Sequence, residues 1–119
     1  MRDSAPSKTI LLLEDDPIVA LDLKDQFVHE GYIVMGPFDR VSRAMDALRE
    51  TKPDIAVLDL HLKDSSCDIV AEQLEAHSIP YAIVTVTAPS MVPRDISPRA
   101  VIEKPFDMKH LSALVTSAR

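Results

Sequence analysis

Continuous apolar runs, each ending in a polar or charged residue, punctuate the chain. Thr9-Ile-Leu-Leu-Leu13 runs into Glu14-Asp15-Asp16-Pro17, and Ile55-Ala-Val-Leu58 runs into Asp59. Short runs of this kind predict strands buried on both faces. Three more strands are expected: Tyr32 to Met35 closed by Gly36-Pro37, Tyr81 to Val86 ending in Thr87-Ala88, and Ala100 to Glu103 ending in Lys104-Pro105. Between them the period changes to that of a helix. Val19, Ala20, Leu23 and Phe27 share one face of a segment that Asp16 caps, Pro17 starts and Gly31 stops. Val41, Ala44, Met45 and Leu48 recur at i, i+3, i+4, i+7 behind Asp39 as a candidate cap, and Pro53 ends that segment. Cys67, Val70, Ala71 and Leu74 repeat the spacing, and Met108, Leu111, Leu114 and Val115 follow Asp107. Between Pro89 and Arg99 the pattern fails, because Pro89, Pro93 and Pro98 do not support a regular helix.

Alternation of this kind predicts an α/β fold: a doubly wound, five-stranded parallel sheet covered by helices on both faces. The expected strand order is flavodoxin-like, 2-1-3-4-5, with the fourth helix short or irregular. The domain is expected over residues 8–119, with residues 1–7 a flexible tail.

A chain of 119 residues suits one domain, and 46% apolar with 27% charged residues suits a globular one. The net charge of −6 argues against unaided binding to nucleic acid or to an anionic membrane. No apolar run approaches the roughly 20 residues that span a bilayer, and Met1 to Lys8 lacks a signal-peptide core. The single cysteine, Cys67, excludes an internal disulfide and suits a reducing compartment, so a cytoplasmic protein is expected. Glycine is confined to Gly31 and Gly36, so phosphate chemistry would rest on side chains and a metal, not on a glycine-rich loop.

Ligands gather at the carboxyl ends of strands in such sheets. The order 2-1-3-4-5 makes the first and third strands neighbours, which brings Glu14, Asp15 and Asp59 together. Three carboxylates repel one another unless a cation joins them, and hard oxygen donors suit Mg2+. Lys104 approaches from the last strand, and Thr87 offers a hydroxyl. The competing reading is a set of solvated strand-end residues, with Asp59 starting a turn. His29, His77 and His110 lie near helix ends without ligand spacing and are expected to be solvated.

The chain resembles the receiver domain of two-component response regulators, the CheY-like family. The matching residues are Leu12-Leu13-Glu14-Asp15-Asp16-Pro17, Val57-Leu58-Asp59-Leu60-His61-Leu62, Val84-Thr85-Val86-Thr87-Ala88 and Glu103-Lys104-Pro105-Phe106. Ile79-Pro80-Tyr81 and the proline-rich segment further resemble stand-alone receivers of the α-proteobacterial type. The resemblance implies that Asp59 is the phosphoacceptor. It implies that Asp15 and Asp59 ligate Mg2+ with side chains, His61 with its backbone carbonyl, and Glu14 through water. Thr87 and Lys104 would contact the phosphoryl group. The implied partners are a histidine kinase or phosphotransfer protein and a downstream protein, with no membrane or direct nucleic-acid contact, in a monomer or weak dimer. Four departures stand out. The Thr87 to Lys104 gap is shorter than usual, Val101 replaces a frequent aromatic, Cys67 replaces a frequent glycine, and His61 is bulkier than common choices.

Competing functions are a Mg2+-dependent aspartyl phosphohydrolase, a degenerate receiver, and the amino-terminal receiver of a longer DNA-binding regulator. The hydrolase would need a second carboxylate two residues after Asp59, where His61 stands. Intact Glu14, Asp15, Asp59, Thr87 and Lys104 speak against degeneracy. As no effector is visible within the sequence, a signalling phosphoacceptor that is not an enzyme in its own right is expected.

Overall fold

The computed structural model of the chain describes residues 8–62, 64–86, 92–104, 107, 109–111 and 113. Thr87, Ala88, Pro89, the Lys104-Pro105 bond, the tail at 1–7 and most of the last expected helix lie outside the described residues. The elements are β1 (Thr9–Leu13), α1 (Pro17–His29), β2 (Ile33–Phe38), α2 (Val41–Glu50), β3 (Ile55–Asp59), α3 (Asp68–Ala76), β4 (Tyr81–Thr85) and β5 (Ala100–Glu103). The five strands form one parallel sheet in the order β2-β1-β3-β4-β5, as expected.

The pleat divides the core into two layers, because successive strand residues point to opposite faces. Leu11, Leu13, Ala56, Leu58 and Ile83 pack with Ala44 and Leu48 of α2 and Val70, Ala71 and Leu74 of α3. Ile10, Leu12, Ile55, Val57 and Val84 pack with Leu23 and Phe27 of α1 and with Leu111. Cys67 is buried in the first layer, and burial, with help from Asp68, pushes its thiol up to about 12. It is therefore an inert core residue at neutral pH.

α1 starts as expected. Pro17 opens it, and the Asp16 carboxylate accepts hydrogen bonds from the amides of Ile18 (2.9 Å) and Val19 (3.3 Å). β2 differs from expectation. It does not close at Gly36-Pro37 but runs through them to Phe38. The pairing with β1 slips there, from Leu11 opposite Met35 to Leu13 opposite Phe38. Proline is tolerated because β2 is an edge strand that presents no amide to a second neighbour. Gly36 has φ +109°, and a Cβ there would sit 2.7 Å from the Leu12 carbonyl oxygen. Past this bulge the Phe38 carbonyl accepts the Glu14 amide at 2.9 Å.

The cap of α2 also differs. Asp39 is not the N-cap; Arg40 is, and it makes no side-chain capping bond. The orphan amides of Val41 and Ser42 donate instead to the Asp64 carboxylate, at 2.8 and 3.1 Å. A tertiary partner has displaced the local one, which the spacing of a single segment does not encode.

Between β4 and β5 the described residues 92–99 contain no helix. Side-chain and backbone contacts hold residues 96–99 in place. The Ser97 amide donates to Glu75 Oε2 (2.6 Å) and to the Tyr81 hydroxyl oxygen (3.1 Å), and that hydroxyl donates to Glu75. The Arg99 amide donates to the Tyr81 carbonyl, and Ile96 is buried. Among the described residues no helix is long and apolar enough to cross a membrane.

Candidate functional site

The parallel sheet delivers its polar residues to one rim. Glu14 and Asp15 follow β1 directly, Asp59 is the last residue of β3, and Lys104 follows β5. β1 and β3 are neighbours, with Leu13 opposite Leu58, so their ends coincide. One carboxylate oxygen from each of Glu14, Asp15 and Asp59 lies within 4.8 Å of the others. Glu14 and Asp59 are buried, at 2% and 5% exposure, and Asp15 is half-buried.

Lys104 joins this group from the other side of the switch point. Its Nζ donates to Glu14 Oε2 at 2.8 Å and to Asp59 Oδ2 at 3.0 Å. The backbone steers both partners: the Lys104 amide donates to the Thr85 carbonyl (2.7 Å) and the Leu60 amide to the Val84 carbonyl (3.1 Å). The Asp16 amide donates to Glu14 Oε2 (3.1 Å), and the His61 amide to Asp59 Oδ1 (3.2 Å). The His61 imidazole belongs to an exposed residue, so what His61 brings to the cluster is its backbone. Thr87 lies outside the described residues.

Electrostatics follow from crowding. Burial, then the neighbouring Glu14, raise the Asp59 carboxyl above its usual range against the opposing pull of Lys104. Burial and then Asp59 raise Asp15. Burial alone would lower the Lys104 ammonium, but its bonds to Glu14 and Asp59 outweigh that and raise it. Ionised, three carboxylates and one ammonium carry a net charge of −2, which a divalent cation neutralises. Glu14 Oε1 is buried and has no hydrogen-bond partner among the described residues. Such an orphan is costly, and together with three convergent hard donors it fits Mg2+. Beside the cluster a cavity of about 550 Å³ opens between α1 and the start of α2, lined among others by Glu14, Asp15, Leu21, Lys24 and Arg43.

Sequence reasoning brought together the four charged residues that the structure joins. It missed Asp64, which reads as part of a polar loop, and the Glu75–Tyr81–Ser97 contact. The spacing of Asp64 five residues past Asp59 is a signal only once α2 is known to lie alongside.

A five-stranded 2-1-3-4-5 sheet with acidic residues at the switch point defines a CheY-like member of the flavodoxin class. The chain matches the response regulator receiver domain over residues 10–116 and belongs to that family. It is 28% identical over 113 residues to the phyllosphere-induced regulator PhyR of Methylorubrum extorquens, covering 92% of this chain and 42% of that protein. It is 24% identical over 113 residues to the transcriptional regulatory protein PdtaR of Mycobacterium tuberculosis, covering 92% and 55%. Among solved structures, the CheY-like receiver of Methanospirillum hungatei superposes with TM-score 0.84 at 20% identity, over 94% of this chain and 93% of that one. PhyR of Brucella abortus superposes with TM-score 0.82 at 25% identity, over 95% and 48%. The chain thus spans about half the length of these curated relatives. Receiver domains act in two-component signalling with histidine kinases and downstream partners, mostly as phosphoacceptors rather than as enzymes.

Proposed function

We propose that the chain accepts a phosphoryl group on Asp59 from a histidine kinase or phosphotransfer protein, in a Mg2+-dependent reaction, and signals through altered protein contacts. The observation that carries this reading is the convergence of Asp59 with Glu14, Asp15 and Lys104. A carboxylate oxygen of Asp59 attacks phosphorus, the phosphorus–nitrogen bond of the donor breaks, and the electron pair leaves on the donor imidazole. Asp15 and Asp59 side chains and the His61 carbonyl would hold the metal, with Glu14 acting through water. A bound Mg2+ supplies positive charge against the incoming phosphoryl oxygens. Lys104 is already within hydrogen-bond reach of Asp59 and would follow the phosphoryl group once it is attached. Thr87, one residue past the exposed Val86, is assigned the remaining phosphoryl contact.

The receiver unit is residues 8–119, preceded by a tail at 1–7. The α1 surface beside Asp15 presents Ile18 and Leu21, 73% and 57% exposed, where a phosphodonor protein would have to approach. The related PhyR structure from Bartonella quintana is described as an anti-anti-sigma factor. With the net charge of −6, that likeness favours a protein as the downstream partner over nucleic acid.

The test is phosphorylation by acetyl phosphate, followed by intact-mass spectrometry. Wild type should gain one phosphoryl mass with Mg2+ and none in EDTA, and Asp59→Asn should gain none while keeping its thermal unfolding transition. Labelling of Asp59→Asn at the wild-type rate overturns the assignment.

A further inference from the structure

Asp64 is tied to a helix it does not belong to. Its two carboxylate oxygens take the first two amides of α2, Val41 and Ser42, at 2.8 and 3.1 Å. Arg40, the N-cap of α2, has extended backbone (φ −138°, ψ 141°) and supplies no side-chain bond. A serine or aspartate at position 40 could cap the helix locally from that backbone. The chain instead draws the cap from 23 residues away.

Two further sets of bonds give this arrangement a consequence. The turn after Asp59 is folded on itself: His61 and Ser66 form an antiparallel bridge, the Leu62 amide donates to the Ser65 carbonyl, and the Cys67 amide to the Leu60 carbonyl. It begins at the site, where the His61 amide meets Asp59 Oδ1. On the opposite side, Phe38, at the end of the strand leading into α2, holds the Glu14 amide. The Asp64 contact therefore closes a bridge outside the site, from the Glu14 backbone through Phe38 and the α2 terminus to the turn that carries His61 and Asp59. The bonds from the Val41 and Ser42 amides hold the Asp64 carboxyl below its usual range, so it is ionised at neutral pH, as an anion at a helix N-terminus should be.

We propose that Asp64 is a positioning residue: by anchoring the post-Asp59 turn to the start of α2, it holds the His61 backbone and the Asp59 carboxylate in register with Glu14 and Asp15. The metal-binding part of this proposal rests on the function proposed above; the anchoring part does not. The alternative is that Asp64 only caps α2.

The two separate in a set of variants: Asp64→Ala, Asp64→Asn, and the double variant Asp64→Ala with Arg40→Asp, which restores a local cap without restoring the anchor. Three readouts are needed: the melting temperature in EDTA, hydrogen exchange of peptides covering residues 60–66 in EDTA, and Mg2+ affinity by calorimetry. Asp64→Ala should melt lower by about 5 °C, exchange at 60–66 about fivefold faster, and bind Mg2+ about tenfold more weakly, the usual scale for losing a residue that orients a ligand. Asp64→Asn, with one acceptor oxygen left, should fall between. The double variant should recover its melting temperature but keep the fast exchange and the weak Mg2+ binding. Should Asp64→Ala fail to fold, the double variant and Asp64→Asn give the same comparison. Full recovery of exchange and Mg2+ affinity in the double variant overturns the proposal, and so does unchanged exchange at 60–66 in a destabilised Asp64→Ala. If wild type itself binds no Mg2+, the metal reading of the site fails, and the exchange data alone decide whether the anchor exists.

Discussion

Replacing Asp15 by asparagine should stabilise the metal-free protein while removing most of its response to Mg2+. The Asp15 carboxylate meets those of Glu14 and Asp59 within 4.8 Å. At that separation two unit charges repel by roughly 3.5 kcal/mol for an effective dielectric of about 20, and by roughly 0.9 kcal/mol in bulk water. Asp15 is half-buried, so the lower end applies, about 1 kcal/mol per neighbour. Lys104 opposes part of this, which leaves a net gain of about 1 kcal/mol for the neutral side chain, or roughly 4 °C in melting temperature for a domain of this size. The pH dependence has a definite sign. Because the folded carboxyl of Asp15 is raised, the native state binds more protons than the unfolded chain above pH 3.8, so wild-type stability in EDTA falls as pH rises through that window. Asp59 adds to the fall in both proteins, since its carboxyl is raised as well. Asp15→Asn should therefore show a shallower decline than wild type and its full advantage at neutral pH. Mg2+ at about 100 times its dissociation constant stabilises wild type by about 2.7 kcal/mol, roughly 10 °C. Differential scanning calorimetry from pH 4.5 to 8, in EDTA and in Mg2+, measures all of this. An Asp15→Asn protein that is less stable than wild type in EDTA, or that keeps the full Mg2+ shift, refutes the reasoning.

Two further outcomes follow from the same geometry. Lys104→Met strands the buried Glu14 and Asp59 carboxylates, which should cost about 3 kcal/mol in EDTA at pH 7 and be largely recovered by Mg2+; urea titrations with and without metal read it. Since the Lys104 ammonium is raised, its own contribution is complete below pH 10.5 and is lost as pH climbs beyond, so on the alkaline side wild type should keep its advantage over Lys104→Met until strong alkali. Tyr81→Phe removes the hydroxyl that contacts Glu75 and Ser97 and should cost about 1 kcal/mol. Faster amide exchange at Ser97 should accompany it, and unchanged exchange there would show that the linker holds without the tyrosine.

What could be read from the sequence and what could not divide along a physical line. β1, β3 and β4 were legible because strands of a parallel sheet are buried on both faces and appear as unbroken apolar runs, such as Ile10 to Leu13. The charged cluster was legible because strand order alone brings the ends of β1 and β3 together. The extension of β2 was not, since Gly36-Pro37 is a turn signal in isolation and only its edge position makes it tolerable within a strand. Nor was the α2 cap, because Asp39 satisfies the local rule while Asp64 satisfies the actual amides. Glu75 was equally silent: on an exposed helix surface a glutamate carries no hint that its carboxylate receives a backbone amide 22 residues away.

The segment between β4 and β5 shows how such silent contacts change a functional argument. Its prolines suggest a part free to move, and loops without regular hydrogen bonds are where switching motions are drawn from. Yet residues 96–99 are held: Ile96 is buried, and the Ser97 and Arg99 amides are bonded to Glu75 and Tyr81. What replaces helical hydrogen bonding at residues 96–99 is an exposed carboxylate, one phenol and the Tyr81 backbone carbonyl, so their order depends on a few tertiary contacts rather than on a cooperative helix. Val101, half-buried against the α2–α3 layer, is too small to carry a signal by swinging in and out as an aromatic residue could. The turn that leaves Asp59 is anchored to α2 by Asp64, whereas residues 97–99 are anchored by Glu75 and Tyr81 at the opposite edge of the sheet, where β4 begins. Both anchors are carboxylates from outside the acidic cluster. Because the parallel strands carry Asp59 and Tyr81 to opposite edges of the sheet, a shift of the turn after Asp59 would bear on the Asp64 contact with α2 and not directly on the Glu75 contact.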